Sequence, residues 1–212
     1  MSRLEAYEKF HERLASGELR AGQFVTQKEL AALIGVPLGS AREAIQRLEF
    51  ESLLRVYPQR GIQVTEATVQ LIREAFGLRL TLEKEAARKF AINAPDAVIS
   101  ELRDATAAII DRCSGEISPN LQSEAVEADW ALHDSIVDHM ENSIFSEVYR
   151  VNAARIRLVR GTGNRLRLER IVPALSEHLV ILDACKERNA DAAAAAVEAH
   201  ISNSLRISLE HA

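Results

Sequence analysis

Asp129 and His133 stand four residues apart in "EADWALHDSIVDHM" (residues 127–140), a stretch whose other residues repeat with the period of a buried helix. At that spacing both side chains project from one helical face. A carboxylate and an imidazole one turn apart are either an incidental pair or half of a metal site. Two more imidazoles bear on the choice. His178 and His200 each lie eleven residues from Asn189, the centre of the break "RNAD" between two helical segments. In an antiparallel hairpin both would sit at one height, roughly 16 Å from the turn at about 1.5 Å per residue. Three helices could then bring one oxygen and three nitrogen donors together. The competing reading is a set of core histidines satisfied by ordinary hydrogen bonds. His11, His139 and His211 fit no such arrangement, His139 because it lies off the Asp129/His133 face, and Cys185 is two turns from His178, too far to share an ion.

Those donors need helices to carry them, and from Thr68 onward the chain reads as helix. The expected segments are 68–91, 96–114, 121–140, 142–159, 166–187 and 191–210. The breaks between them, "NAPD", "SGEISPN", "ENS", "GTGN" and "RNAD", all hold the Gly, Pro, Asn or Asp that turns require. Six helices with short connections imply an antiparallel bundle. Residues 1–66 read differently. A helix over roughly residues 3–16 is followed by "TQKE", a capping box in which Thr26 and Glu29 serve each other's backbone N–H, and by the short helix "QKELAALIG". Next, "VPLGSAREAIQRLEFES" places Ala41, Ala44, Ile45 and Leu48 on one stripe. It begins either with Ser40–Glu43 as a second capping box or with Pro37 as its first residue. Two β-rich runs, Leu53–Tyr57 and Ile62–Thr65, flank "PQRG" as a hairpin. The order helix, helix-turn-helix, hairpin is that of a winged helix. The expected fold is therefore mostly α: a winged helix-turn-helix over residues 1–66 and a six-helix bundle over 67–212.

Composition bounds the function without naming it. Of 212 residues 47% are hydrophobic and 27% charged, which is ordinary for a globular chain, and no apolar run reaches the 18 or so residues of a membrane span. The N-terminus is charged and amphipathic, unlike a secretion signal. Cys113 and Cys185 lack CxxC spacing, which fits a reducing cytoplasm. The net charge of −5 lies wholly in residues 67–212, because residues 1–66 carry nine Lys/Arg against nine Asp/Glu. Any DNA contact must come from placed arginines and not from a global positive field.

Residues 10–64, with "GELRAG", "ELAALIGV", "REAIQRL" and the wing "RG", resemble the DNA-binding domain of the GntR superfamily of bacterial regulators. The resemblance puts Arg42 at the recognition-helix arginine, behind Gly39 and Ser40, and Lys28 at a basic position of the preceding helix. It puts Arg60 and Gly61 at a wing tip that enters the minor groove. An arginine early in a groove-entering helix can reach a guanine edge or a phosphate. The sequence departs from the family pattern in two places. Pro37–Ser40 replaces the usual Ser-Arg-x-Pro, so one base-reading arginine is missing, and Ser52 stands where a glycine usually ends the recognition helix.

The remaining motifs are "DWALH", "EHLVILDA" and "DAAAAAVEAHI". Over about residues 70–208 they resemble the FCD effector domain of the FadR branch, and six helices suit its VanR-like subgroup. The resemblance implies that Asp129, His133, His178 and His200 hold a divalent ion. One oxygen and three nitrogens suit Zn2+, with Ni2+, Mn2+ or Fe2+ also admissible. It implies a homodimer on a palindromic DNA operator, responding to a small organic acid and acting most often as a repressor. Arg79 occupies the family's R-x-x-x-E position, where it either grips an effector carboxylate or pairs with Glu83. Asn152 and Arg155 share a stripe and are weaker effector candidates. Seven arginines between Arg150 and Arg170 suit a solvated face, a dimer contact or an anion site. Two other functions compete: a metallohydrolase with an accessory DNA-like domain, and a constitutive DNA binder with a structural metal. Glu177 adjoins His178 but projects about 100° away from it, and no other general base is apparent.

Overall fold

In the computed structural model, which describes residues 3–115, 117–161 and 168–210, the chain is mostly helical with one small sheet. It forms two compact units: Met1–Ala75 with Val151–Arg165 and Ser208–Ala212, and Phe76–Arg150 with Leu166–Ile207.

In the first unit, α1 (Arg3–Ser16), α2 (Gln27–Leu33) and α3 (Leu38–Phe50) are joined by a sheet of β1 (Phe24–Val25), β2 (Leu54–Tyr57) and β3 (Gly61–Val64). The capping box at α2 is formed: Thr26 Oγ1 accepts from the Glu29 N–H at 3.1 Å, and Glu29 Oε2 accepts from the Thr26 N–H at 2.7 Å. The start of α3 differs from both expectations. Pro37 is its N-cap residue and Leu38 its first, with no side-chain cap, so Ser40–Glu43 is not a capping box. Proline serves here because its fixed φ leads into the helix. Just past the other end, Ser52 has φ +59, the left-handed conformation that glycine adopts without cost.

The stripe Ala41, Ala44, Ile45 and Leu48 is buried against Phe10, Leu14, Leu30 and Ile34, and closes over Ile62 and Val64. Ala154 and Leu158 belong to the same core. They come from α7 (Ser143–Gly161), a helix whose first half lies in the second unit.

The sheet is three-stranded in the order β1-β3-β2, where the periodicity indicated only a hairpin. Strand β1 is two residues long, too short to alternate detectably, yet it pairs Phe24 with Gln63 and Val25 with Ile62. This pairing gives Gly61 a role that the sequence did not reveal. Its φ is +105, and a Cβ there would lie 2.8 Å from the Val25 carbonyl oxygen. The missing side chain is what lets β1 close on the wing. Gly61→Ala is therefore expected to destabilise the free protein by roughly 1–3 kcal/mol. Denaturant unfolding without DNA checks this, and unchanged stability would leave close approach to DNA as the glycine's sole purpose.

The second unit is built from α4 (Val69–Asn93) from Phe76 onward, α5 (Asp96–Arg112), α6 (Pro119–Asp138), the first half of α7, α8 (Leu168–Lys186) and α9 (Ala190–Leu209) up to Ile207. The break "GTGN" lies mostly outside the described residues, as do the first two residues of the expected 166–187 segment. Polar caps start three of the helices. Ser118 Oγ accepts from the Leu121 N–H at 3.2 Å, Asn142 Oδ1 from Phe145 at 3.1 Å and Asn189 Oδ1 from Ala192 at 3.0 Å. Ile109, Leu121, Ala125, Ile171 and Leu175 form a shared apolar cluster among α5, α6 and α8. Ion pairs tie the outside, with Arg103 on α5 bonded to Asp183 on α8 and Lys84 on α4 to Glu198 on α9. No helix among the described residues is long and apolar enough to cross a membrane.

Candidate metal centre and DNA-reading face

The buried stripe of α6 is Leu121, Ala125, Asp129, Leu132, His133 and Ile136, so the acid and the imidazole face the interior in series with aliphatic residues. His178 arrives from α8 and His200 from α9. All four are 0% exposed, and one donor atom from each lies within 4.8 Å of the other three. The two hairpin histidines meet at the same height, as expected from their equal distance to Asn189. His178 Nε2 is 3.3 Å from His200 Nε2 and 3.4 Å from Asp129 Oδ1. Donors about 2.1 Å from a tetrahedral ion stand about 3.4 Å apart.

The protonation states also fit a cation. His133 Nδ1 lies 2.6 Å from Glu83 Oε2, and His200 Nδ1 lies 2.8 Å from Glu177 Oε2. Each of these nitrogens donates its N–H to a carboxylate, which leaves the lone pair on Nε2, facing the cluster. His133 Nε2 is buried with no hydrogen-bond partner among the described residues. As mere packing, such an atom would cost about 1–3 kcal/mol. Burial, reinforced by His200, pushes His178 well below the usual imidazole range, and burial also lowers His200, so both are neutral donors. These residues fit a divalent ion.

Arg79 on α4 is 1% exposed and lies beside this cluster, its Nε donating to Glu83 Oε1 at 2.7 Å. Burial alone would raise the Glu83 carboxyl, but the charge of Arg79, with the hydrogen bonds from His133 and Arg79, outweighs it and holds the group at about 2. Both readings of Arg79 thus keep a footing. The ion pair with Glu83 exists, yet Nη1 and Nη2 are buried with no hydrogen-bond partner among the described residues.

The other two effector candidates have their partners within the first unit. Asn152 is buried in the first unit, donating to the Ala75 carbonyl at 2.8 Å. Arg155 Nη2, in the same unit, donates to the carbonyl of Glu51, the residue that caps α3, at 3.0 Å. The cation there meets the negative end of the helix dipole. A common stripe showed that both face inward, but not into which core. Arg157 belongs to this unit too, while Arg165, Arg167 and the side chain of Arg160 lie outside the described residues.

Sequence reasoning missed Glu177. It does point away from His178, and it does so toward His200 on the next helix, where Asn203 Nδ2 holds its other oxygen at 3.0 Å. The available signal was the spacing of His200 and Asn203, three apart on the face of α9 turned to α8.

In the first unit, Lys28 on α2 and Arg42 on α3 are exposed, with Gly39 and Ser40 in the first turn of α3. Space around Gly39 is open. Arg42 Nε donates to Gln27 Oε1 at 3.2 Å, a link between the two helices that the sequence did not reveal. Arg60 is exposed in the turn between β2 and β3, beside Gly61.

The profile of bacterial regulatory proteins of the gntR family matches residues 3–64, and that of the FCD domain matches residues 74–203. The Nta operon transcriptional regulator of Aminobacter aminovorans is 30% identical over 189 residues, covering 88% of this chain and 84% of its own. The uncharacterized HTH-type transcriptional regulator YdhC of Bacillus subtilis is 25% identical over 210 residues, covering 94% and 88%. Among solved structures, E. coli McbR/YncC superposes with a TM-score of 0.79 over 98% of this chain and 97% of its own, at 18% identity, a likeness of fold.

Proposed function

The chain belongs to the gntR family of bacterial regulatory proteins, with an FCD domain following its winged helix, and from that premise we propose that it is a metabolite-responsive regulator whose effector is a small carboxylate. It is a DNA-binding transcriptional regulator by kinship, and its relatives are regulators, not enzymes. The finer assignments are ours. The functional division falls near residue 66, between the two matched profiles. Lys28, Gly39, Ser40 and Arg42 face the major groove, and Arg60 with Gly61 the minor groove. Two copies bind a palindromic operator as a homodimer in the cytoplasm, because two winged helices related by a two-fold axis match two half-sites, and the bound dimer represses. The six C-terminal helices accord with the VanR-like subgroup of the FadR branch.

Asp129, His133, His178 and His200 would hold the ion, Zn2+ before Ni2+, Mn2+ or Fe2+, and the ion would supply a fixed positive charge inside the bundle. The observation that carries the effector reading is the buried guanidinium of Arg79, whose Nη1 and Nη2 have no hydrogen-bond partner among the described residues, beside the cluster. A planar fork of N–H groups in a dry site suits a carboxylate held bidentately. Arg79 and His133 share Glu83, so an acid on that fork lies next to the ion's ligand set. A hydrolase reading finds no support, since Glu83 and Glu177 are both occupied with histidines and neither is placed as a general base.

A panel of small mono- and dicarboxylates titrated into the metal-loaded protein on operator DNA tests this. At least one should change operator affinity, by a factor in the range of about 5–150, and the chelator-stripped protein should not respond. An affinity indifferent to the whole panel would favour a structural metal and constitutive binding.

A further inference from the structure

Four donors make a ligand set, but something must aim them. We propose that Glu83 and Glu177, which do not belong to that set, are its positioning residues and determine how tightly the ion is held. The inference rests on the metal reading above and names what sustains it.

Each carboxylate has the same arrangement. One oxygen receives a ligand histidine's Nδ1, at 2.6 Å for Glu83 with His133 and 2.8 Å for Glu177 with His200. The other oxygen is anchored independently. Glu83 Oε1 is held by Arg79 Nε at 2.7 Å, and Glu177 Oε1 by Asn203 Nδ2 at 3.0 Å, with Arg170 Nη2 at 3.5 Å. A neutral imidazole has one N–H and one lone pair. With Nδ1–H engaged by a carboxylate, the lone pair must sit on Nε2, the ring cannot turn, and the nitrogen facing the ion becomes a better donor. Fixing the second oxygen matters equally, because a carboxylate free to rotate would aim nothing.

The third histidine is the contrast. His178 Nδ1 has no hydrogen-bond partner among the described residues, so no outer carboxylate holds that ring. The centre is thus braced by outer carboxylates at His133 and His200 and not at His178. The two glutamates also differ from one another. Glu83 is 0% exposed and so cannot be replaced by water, whereas the Glu177 side chain is 24% exposed, so water can partly take over its role.

The test uses the full-length protein with Zn2+ alone, its affinity read by competition with a chromophoric chelator, and with Co2+ alone, whose visible bands report donor geometry. Glu83→Gln should weaken Zn2+ by about 10–100-fold and Glu177→Gln by about 10-fold, the range for loss of such outer partners. Both should shift the Co2+ bands while the helical circular dichroism stays unchanged. Glu83→Gln leaves Arg79 buried against a neutral amide; should that variant not fold, Glu177→Gln decides alone. Asp129→Ala separates the two levels. If it loses the metal while both glutamine variants keep wild-type affinity and bands, the positioning roles are overturned and the ligand set stands. If Asp129→Ala binds metal as well as wild type, the ligand set and this inference fall together.

Discussion

His178→Ala protein is expected to bind Zn2+ more than about 100-fold more weakly than wild type, beyond the range for losing an outer partner. Three helices converge on four donors, and alanine removes the only one that α8 supplies. Its outer nitrogen, Nδ1, has no hydrogen-bond partner among the described residues. Affinity measured by chelator competition, with metal content by elemental analysis, checks the result. Unchanged metal content would refute the ligand set. The same variant should lose any effector response yet keep operator binding largely intact, because the exposed residues assigned to DNA lie in the other unit.

Arg42→Ala is the complementary case. Operator affinity should fall by about 1–3 kcal/mol, or roughly 10–200-fold, if the guanidinium reads a base edge. Metal affinity should not move. Loss of a phosphate contact alone would weaken all sequences alike and lower the salt slope by about one. Titrating operator and scrambled DNA at several salt concentrations separates the two. DNA binding unaltered by the substitution would remove α3 from the recognition role. The Gln27 bond to Arg42 Nε bears on the result, since it pre-positions the side chain and lowers the entropy cost of the contact.

The local features were legible because their causes are local. The Thr26/Glu29 box, the stripe of α3 and the acid–imidazole pair on α6 all depend on residues within four positions of each other. The level meeting of His178 and His200 extends this by one step, since a hairpin of two regular helices preserves count as height. Where the reading stopped short, the partner lay on another element. Strand β1 is defined only by its pairing to β3, and the need for glycine at residue 61 only by the Val25 carbonyl. Asn152 and Arg155 showed an inward stripe, but their partners Ala75 and Glu51 are 77 and 104 residues away.

The amino-acid order alone determined the mostly helical fold, the winged helix ahead of a bundle, and the four donors, because helical period, capping and turn chemistry act over a few bonds. The folded chain decided which carboxylates stand behind which imidazoles, that Arg79 keeps a buried fork beside the cluster, and that Arg155 serves the end of α3. Those facts depend on the direction in which a side chain leaves one helix and on what the neighbouring helix presents there, and no spacing along a single strand of sequence contains that angle.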